Sequence, residues 1–339
     1  MFPPIAEYAR LHDLADHGRW DELTAWLLDV EDAAAQGGPE QRERVELRDR
    51  IARVIVGDGP REAAAWTVEH RYAVAGETWL TDVLASVRTW DEIDPFLTER
   101  WLRVLVAHGR VMRGDDLTAE PRLDPSWGLG VPFALEPWEA AAWDPDGFPW
   151  DYSSRNGSCR ETPYMQHVVH MPLQVTADPG PPLEPVPYER AHDLAFGELF
   201  RMRGTAAEAL SRHLHVVVEA YAREPHWSNP PEGHASAVGV GFPAAYPLLV
   251  SVLGGTSAYG PPSSDAQGRL AVWRLLGRMA GMAEPLDPRA VAAFVARLDC
   301  LTWQYHYPHR RVRPLYAAQL VVADPVQGIA WLLDGESDD

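Results

Sequence analysis

The sequence predicts a mainly α-helical fold with α+β character, and three observations lead to this fold class. Over residues 1–113, apolar residues recur at helical spacing, with glycine or proline between the runs. Over 114–163, prolines exclude a long helix and tryptophans exclude a disordered chain. Over 164–333, helical patterns are mixed with short strand-like stretches. We expect N-terminal helical hairpins, or a short α-solenoid, packed on a C-terminal helical unit with a small antiparallel sheet.

The N-terminal region is predicted to form antiparallel helical hairpins. Its apolar faces lie in six stretches, 8–15, 20–30, 45–55, 63–74, 79–87 and 96–107. Residues that end helices, such as Gly18, Gly57 and Gly76, lie near the ends of these stretches. No repeat motif aligns from one helix to the next, so the pattern does not indicate a repeat family.

The stretch 114–163 is predicted to be an ordered wrap that joins the two halves of the chain. Trp127, Trp138, Trp143 and Trp150 lie between its prolines, and side chains of this size need a surface on which to be buried. The alternative is an aromatic wall of a ligand pocket.

The C-terminal region, 164–333, is predicted to combine helices with two strands. The strands are predicted over 167–175 and 214–222. The helices are predicted over 188–203, 206–212, 244–253, 270–282 and 289–298. The stretches 316–322 and 328–333 fit either a helix or a strand, and the acidic tail 334–339 is expected to fray.

The composition excludes several classes of chemistry. All thirty basic residues are arginine, so a Schiff-base lysine and a P-loop lysine are both impossible. Forty-nine acidic residues give a net charge of −19, which disfavours binding to nucleic acid. The only cysteines, Cys159 and Cys300, are too few for a thiolate zinc site, and we expect free thiols in a reducing cytoplasm. Neither a signal peptide nor a membrane-spanning run is predicted.

A glycine- and serine-rich loop that begins at Gly254-Gly255 is the first candidate site. Glycine allows the backbone to approach a ligand closely, and Tyr259, Arg269 and Trp273 would then bind an anion or an aromatic ligand. The alternative is that the glycines only end one helix and begin the next.

Histidines give the second candidate site. His213 and His215 would lie on one face of the predicted strand 214–222, with Glu219 on the same face, where they could act in catalysis or hold a divalent metal. The alternative is a set of hydrogen-bonded histidines on a half-buried sheet. No cofactor is predicted, and the metal is the alternative to that prediction.

An aromatic and basic segment near the end of the chain gives the third candidate site. Trp303 and Tyr305 would bind a ligand there, and His306 and His309 would transfer protons near neutral pH. The alternative is a packed corner in which arginines lie over aromatic rings.

The C-terminal third resembles a known family. The run from Gly254-Gly255-Thr256-Ser257-Ala258-Tyr259-Gly260 to Gly268-Arg269-Leu270-Ala271-Val272-Trp273-Arg274 is similar to an actinobacterial family of unknown function, number 6183. The likeness covers Phe242 to Leu333 and includes the aromatic patch 301–305. It implies a shared fold unit and no chemistry.

Two functions are compatible with these features. The first is a non-catalytic accessory protein that uses an acidic helical surface to bind a protein partner, in a setting such as defence or immunity. The second is a small-molecule enzyme of specialised metabolism, with a pocket lined by histidine, tyrosine and arginine in the C-terminal domain. A structural member of a larger complex is a third alternative. We expect a partner that is a protein or a small molecule, and neither nucleic acid nor a membrane.

Overall fold

The chain divides into two compact units, Met1–Trp127 and Gly128–Asp339. The computed structural model describes residues 5–140, 169–172, 183–186, 198–223, 234–254, 264–305 and 316–337. The division lies inside the stretch 114–163, which the sequence predicts as one continuous wrap. The described part of that stretch is therefore shared between the units, because it continues past Trp127 as far as residue 140.

The N-terminal unit is built from helices as far as Val111 and continues in turns to Asp124. Its α-helices are α1 (Ile5–Asp16), α2 (Trp20–Ala35), α3 (Gln41–Asp58), α4 (Arg61–Ala75), α5 (Trp79–Val87), α6 (Trp90–Ile93) and α7 (Arg100–Val111). The first five apolar stretches of the sequence all lie within α1 to α5, which confirms their helical prediction. The sixth begins later than predicted, because Asp94–Phe96 forms a separate 3-10 turn before α7.

Apolar residues at helical spacing build the core of this unit. Leu23 and Leu27 on α2, and Ile51 and Ile55 on α3, are fully buried. Gly76 ends α4 in the left-handed conformation, with φ of 67°, which glycine adopts without strain. Consecutive helices are therefore held side by side by a shared core and joined by short connections.

The C-terminal unit combines helices with one antiparallel sheet. Its helices are α8 (Pro137–Ala140), α9 (Ala206–Arg223), α10 (Phe242–Leu253), α11 (Asp265–Ala280) and α12 (Pro288–Val295). Its strands are β1 (Val169–Pro172), β2 (Glu184–Pro185), β3 (Glu198–Arg203), β4 (His234–Val240), β5 (Asp299–Tyr305), β6 (Tyr316–Asp324) and β7 (Ile329–Ser337). The strand order is β1-β4-β5-β6-β7-β3-β2, and all six neighbouring pairs are antiparallel. The fold is mainly α with α+β character, as the sequence predicts.

Helices cover both faces of the central strands. Val321 on β6 faces one side of the sheet, where it packs in a cluster with Leu210 and Leu214 of α9. Its neighbour Leu320 faces the other side, where it lies near Phe242 of α10. Successive side chains of a strand point to opposite faces, so coverage of both faces explains why 320–323 is apolar without interruption.

Two predictions of secondary structure in this unit are wrong. Residues 214–222, predicted as a strand from their valines, belong to α9, because burial of Leu210 and Leu214 four residues apart favours a helix on the sheet. Residues 198–203, predicted as the end of a helix, form β3. Phe200 and Met202 pack on the α9 side of the sheet, whereas Leu199 lines the gap on the other side, which is the alternation of a strand.

The other predictions for this unit are confirmed where they are described. Helices α10, α11 and α12 occupy the predicted places, and β1 lies within 167–175. The two stretches that fit either a helix or a strand form β6 and β7. Strand β7 continues to Ser337, so residues 334–337 are paired with β6 and do not form a frayed tail. No helix in the described parts of the chain is long and apolar enough to cross a bilayer.

Candidate functional site

The predicted site residues lie on three separate elements of the C-terminal unit. His213, His215 and Glu219 lie on α9, Arg269 and Trp273 on α11, and Trp303 and Tyr305 on β5. Tyr259, His306 and His309 lie outside the described residues. His213 and Trp303 lie on the α9 face of the sheet, and Arg269 and Trp273 lie on α11, which packs on the other face.

His213 forms a close pair with Asp334 on the α9 face of the sheet. Its Nε2 lies 2.7 Å from Oδ2 of Asp334 on β7, and 6% of the histidine side chain and 20% of the aspartate side chain are exposed. Phe200 and Trp303 enclose the imidazole, with ring centroids 5.9 and 5.3 Å away. A histidine oriented by a carboxylate can hold and transfer a proton, so this pair has the elements of a general acid or base.

The metal site predicted on a strand does not have the predicted geometry. His213 and His215 lie on α9, where residues two apart are about 200° apart around the helix and do not share a face. No group of three or more histidine, cysteine, aspartate or glutamate residues that could hold a metal ion occurs among the described residues.

Cys300 is buried on β5, where burial and, secondarily, Asp299 raise the pKa of its thiol to about 12.

A fully buried carboxylate, Glu139, lies at the centre of a hydrogen-bond network with residues of α10 and α11. Its Oε1 accepts hydrogen bonds from Tyr246 Oη (2.7 Å), Arg269 Nε (2.8 Å) and Trp273 Nε1 (3.0 Å). Its Oε2 accepts from Arg269 Nη2 (2.8 Å) and from the backbone N–H of Glu136 (3.0 Å). Neither the Glu139 nor the Arg269 side chain is exposed. Glu139 is not among the site residues predicted from the sequence. The signal available was a pair of glutamates, Glu136 and Glu139, in the otherwise apolar run 131–143.

The charges of this network are fixed by one another. Burial alone would raise the pKa of Glu139, but Arg269 and the hydrogen bonds outweigh burial and lower it below the ordinary glutamate value. Burial lowers the pKa of Arg269, but the charge of Glu139, the hydrogen bonds to Glu139 and the contact with Tyr246 together outweigh burial and raise it. Burial, followed by the charge of Glu139, raises the pKa of Tyr246 well above its ordinary value. The carboxylate and guanidinium therefore stay charged, and the tyrosine stays a hydrogen-bond donor.

This network attaches the segment 131–140 to α10 and α11. Arg269 also donates to the backbone carbonyls of Pro132 and Ala134, at 2.9 Å each. Trp138 packs on Phe242 and Tyr246 of α10 in edge-to-face contacts, with ring centroids 5.6 and 5.1 Å away. The geometry of Arg269 and Trp273 is that of structural residues, and their ligand-binding role stays a prediction.

An apolar gap lies between the sheet and helices α10 and α11. It is large enough for about one water molecule. Its lining residues are all apolar and come from strands β3, β6 and β7 and from α10 and α11, among them Leu199, Leu275 and Trp331. The pocket lined by histidine, tyrosine and arginine that the sequence predicts for an enzyme is therefore not this gap.

The N-terminal unit presents an acidic face on α2. Asp21, Glu22, Asp29 and Asp32 recur at helical spacing and are exposed, and α2 contains no basic residue. Arg19, which directly precedes the helix, pairs with Glu22. Among the described residues, no ion pair engages the other three carboxylates. This face is one candidate for the predicted acidic helical surface.

A largely buried cluster of charged side chains connects α2, α3 and α4. Glu31 of α2 pairs with Arg71 of α4, and Arg71 in turn pairs with Glu77. Arg48 of α3 reaches both Glu77 (2.9 Å) and Asp49 (2.6 Å). Burial raises the pKa of Asp49 to about 6; Arg48 opposes this effect and Glu77 adds to it. The sequence reasoning did not select these residues, because charged residues on amphipathic helices are usually exposed.

Comparisons of the chain with protein-family models, with curated proteins and with solved structures found no match. The resemblance of Phe242 to Leu333 to the actinobacterial family therefore stays a prediction. A proposal for the function therefore rests on the geometry of the described residues.

Proposed function

We propose that this protein is a non-catalytic accessory protein that binds a basic protein partner through the acidic face of α2. The exposed row of Asp21, Asp29 and Asp32 on a helix without a basic residue carries the proposal. Exposed like charges on one helix repel one another, and a basic partner relieves that repulsion. The net charge of −19 adds a long-range attraction that increases the rate of encounter with such a partner.

Neutralising the acidic face is expected to reduce binding of the partner by about tenfold or more. The variant combines Asp21→Asn, Asp29→Asn and Asp32→Asn, and the readout is affinity purification under near-native conditions followed by quantitative mass spectrometry. Recovery of the same partner should also fall as ionic strength rises, because salt screens exposed charges.

The matched control removes three exposed carboxylates elsewhere in the same unit. Asp58→Asn, Glu62→Gln and Asp91→Asn change the net charge by the same amount and leave α2 unaltered. Equal losses in the two triple variants would mean that total charge attracts the partner, and recovery unchanged in the α2 variant would contradict the proposal.

A second function, that of a small-molecule enzyme, is favoured by one observation, the His213–Asp334 pair. A buried imidazole 2.7 Å from a carboxylate has the orientation needed for proton transfer. If this pair is catalytic, His213→Gln should abolish a metabolite conversion that the wild-type protein produces in a cell extract, as measured by untargeted mass spectrometry.

The control for the enzyme test is His70→Gln in the N-terminal unit. His70 also binds a carboxylate through Nε2, at 2.6 Å from Glu31, so the two variants remove comparable contacts. Conversion lost in both variants, or retained in both, would count against the catalytic pair.

A further inference from the structure

Helices α2 and α4 run in the same direction beside α3. Arg44, in the first turn of α3, donates to the carbonyl of Ala33 near the end of α2, at 3.0 Å. Arg48, one turn later, donates to Glu77, just after the end of α4, at 2.9 Å. Helices α2 and α4 therefore both end near the beginning of α3. Both are antiparallel to it and consequently parallel to each other.

A seam between α2 and α4 is held together by Glu31. Its two carboxylate oxygens contact His70 Nε2, at 2.6 Å, and the guanidinium of Arg71. Leu28 lies one turn before Glu31 on α2, and Trp66 lies one turn before His70 on α4. Because the helices are parallel and these partners meet, Leu28 and Trp66 lie at the same level of the seam.

The seam carries large apolar side chains that are exposed. Leu28 and Trp66 are each 38% exposed, and Val74, two turns after Trp66, is 58% exposed. Single exposed apolar residues are common on protein surfaces, but here three lie on two helices that are neighbours. Asp29 and Asp32 of α2 flank this apolar row and are exposed.

The side chain of Trp66 is ordered by contacts within the N-terminal unit. Its indole stacks on the imidazole of His70, with ring centroids 4.8 Å apart and an angle of 9° between the planes. Glu31 fixes His70, and the buried Arg71 fixes Glu31. An aromatic side chain that is already ordered loses little conformational entropy on binding, and such side chains often contribute most of the affinity of an interface.

We infer that the α2–α4 seam, formed by Leu28, Trp66, Val74, Asp29 and Asp32, binds one basic amphipathic helix of the partner. This inference rests on the proposed function. Trp66 and Val74 are about 12 Å apart along α4, which matches apolar residues spaced two turns apart on a docked helix. Arginine or lysine beside that apolar stripe would lie against Asp29 and Asp32.

The test uses two synthetic 20-residue peptides of identical composition, made of leucine, alanine and arginine. In the first peptide the leucines form one helical stripe, and in the second they are distributed around the helix. Isothermal titration with the full-length protein should give a dissociation constant about tenfold lower for the striped peptide. Trp66→Ala should remove that preference, since truncation of an aromatic anchor weakens binding by about tenfold or more.

Two further variants separate loss of the seam from loss of the fold. Val74→Ser changes a side chain that is more than half exposed and should reduce the preference for the striped peptide without unfolding the helix. Val326→Ser, at a residue 73% exposed in the C-terminal unit, should leave both affinities unchanged. An equal effect of Val74→Ser and Val326→Ser would overturn the inference.

The outcomes also distinguish this inference from the function on which it rests. Equal binding of the two peptides, lost when Asp21, Asp29 and Asp32 are neutralised, would overturn the helix-binding seam and leave the acidic face in place. Absence of binding by either peptide, together with partner recovery that does not depend on the α2 carboxylates, would overturn both.

Discussion

Replacing Glu139 by glutamine is expected to lower the free energy of unfolding of the C-terminal unit by about 3–5 kcal/mol. The change leaves the buried guanidinium of Arg269 without its counter-charge, although the shape of the side chain is retained. It also weakens the hydrogen bonds that Tyr246 and Trp273 donate to the carboxylate. Scanning calorimetry of the full chain, with urea unfolding as a second measure, would give the loss.

The control for Glu139 is an exposed ion pair in the same unit. Glu284 lies 3.4 Å from Arg274, with 49% and 28% of the two side chains exposed, and Glu284→Gln should cost less than about 1 kcal/mol. The double variant Glu139→Gln with Arg269→Met should recover part of the loss, because it also removes the buried positive charge that Glu139 neutralises. If Glu139→Gln and Glu284→Gln lowered the free energy of unfolding by similar amounts, the buried pair would contribute no more to stability than the exposed one.

The pH dependence of the Glu139 contribution follows from the direction of its pKa. Its pKa in the folded protein is lower than the ordinary value of 4.5, so the unfolded chain binds a proton first as the solution becomes acidic. The stabilisation is therefore complete above pH 4.5 and is lost as the pH falls through the folded pKa. In the Glu139→Gln variant, this decrease in the free energy of unfolding at low pH should be absent.

The sequence predicted the helices far better than the strands, and the reason lies in how each is stabilised. In α2, the spacing of Leu23, Leu27 and Val30 is visible in the sequence, because one face of the helix is buried. In β6, residues 320–323 are buried on both faces, so no alternation marks them as a strand. In α9, valines favour a strand locally, and packing of the helix on the sheet outweighs that preference.

The candidate sites were predicted less completely, because they depend on pairs that are distant in sequence. His213 could be selected as a reactive type of residue, but its partner Asp334 lies 121 positions later, in a stretch that is acidic and resembles a tail. Arg269 was selected for its loop, and its partner Glu139 lies 130 positions earlier. The sequence predicts an acidic helical surface but does not assign it to α2, although the exposed carboxylates Asp21, Asp29 and Asp32 lie one or two turns apart on that helix.

Gly268→Ala is expected to destabilise the C-terminal unit by about 2 kcal/mol or more, even though alanine favours a helix. A Cβ atom at Gly268 on α11 would lie 2.3 Å from the backbone oxygen of Val250 on α10, and a backbone atom cannot move aside as a side chain can. The two helices would have to separate, which disturbs the segment that holds Arg269 one residue later. Hydrogen exchange of the amides of α10 and α11 would detect the change as faster exchange.

The matched control for Gly268→Ala is Gly277→Ala in the same helix. Both substitutions gain the same helix propensity, about 1 kcal/mol, but the three atoms nearest to a Cβ at Gly277 all belong to the side chain of Leu286. The end of a side chain can shift where a backbone oxygen cannot, so Gly277→Ala should cost clearly less stability than Gly268→Ala. If Gly268→Ala proved as stable as Gly277→Ala, the close approach of α10 and α11 at Val250 would be refuted. Gly254 and Gly268, which flank the loop, would then be left without the structural explanation that this close approach gives them.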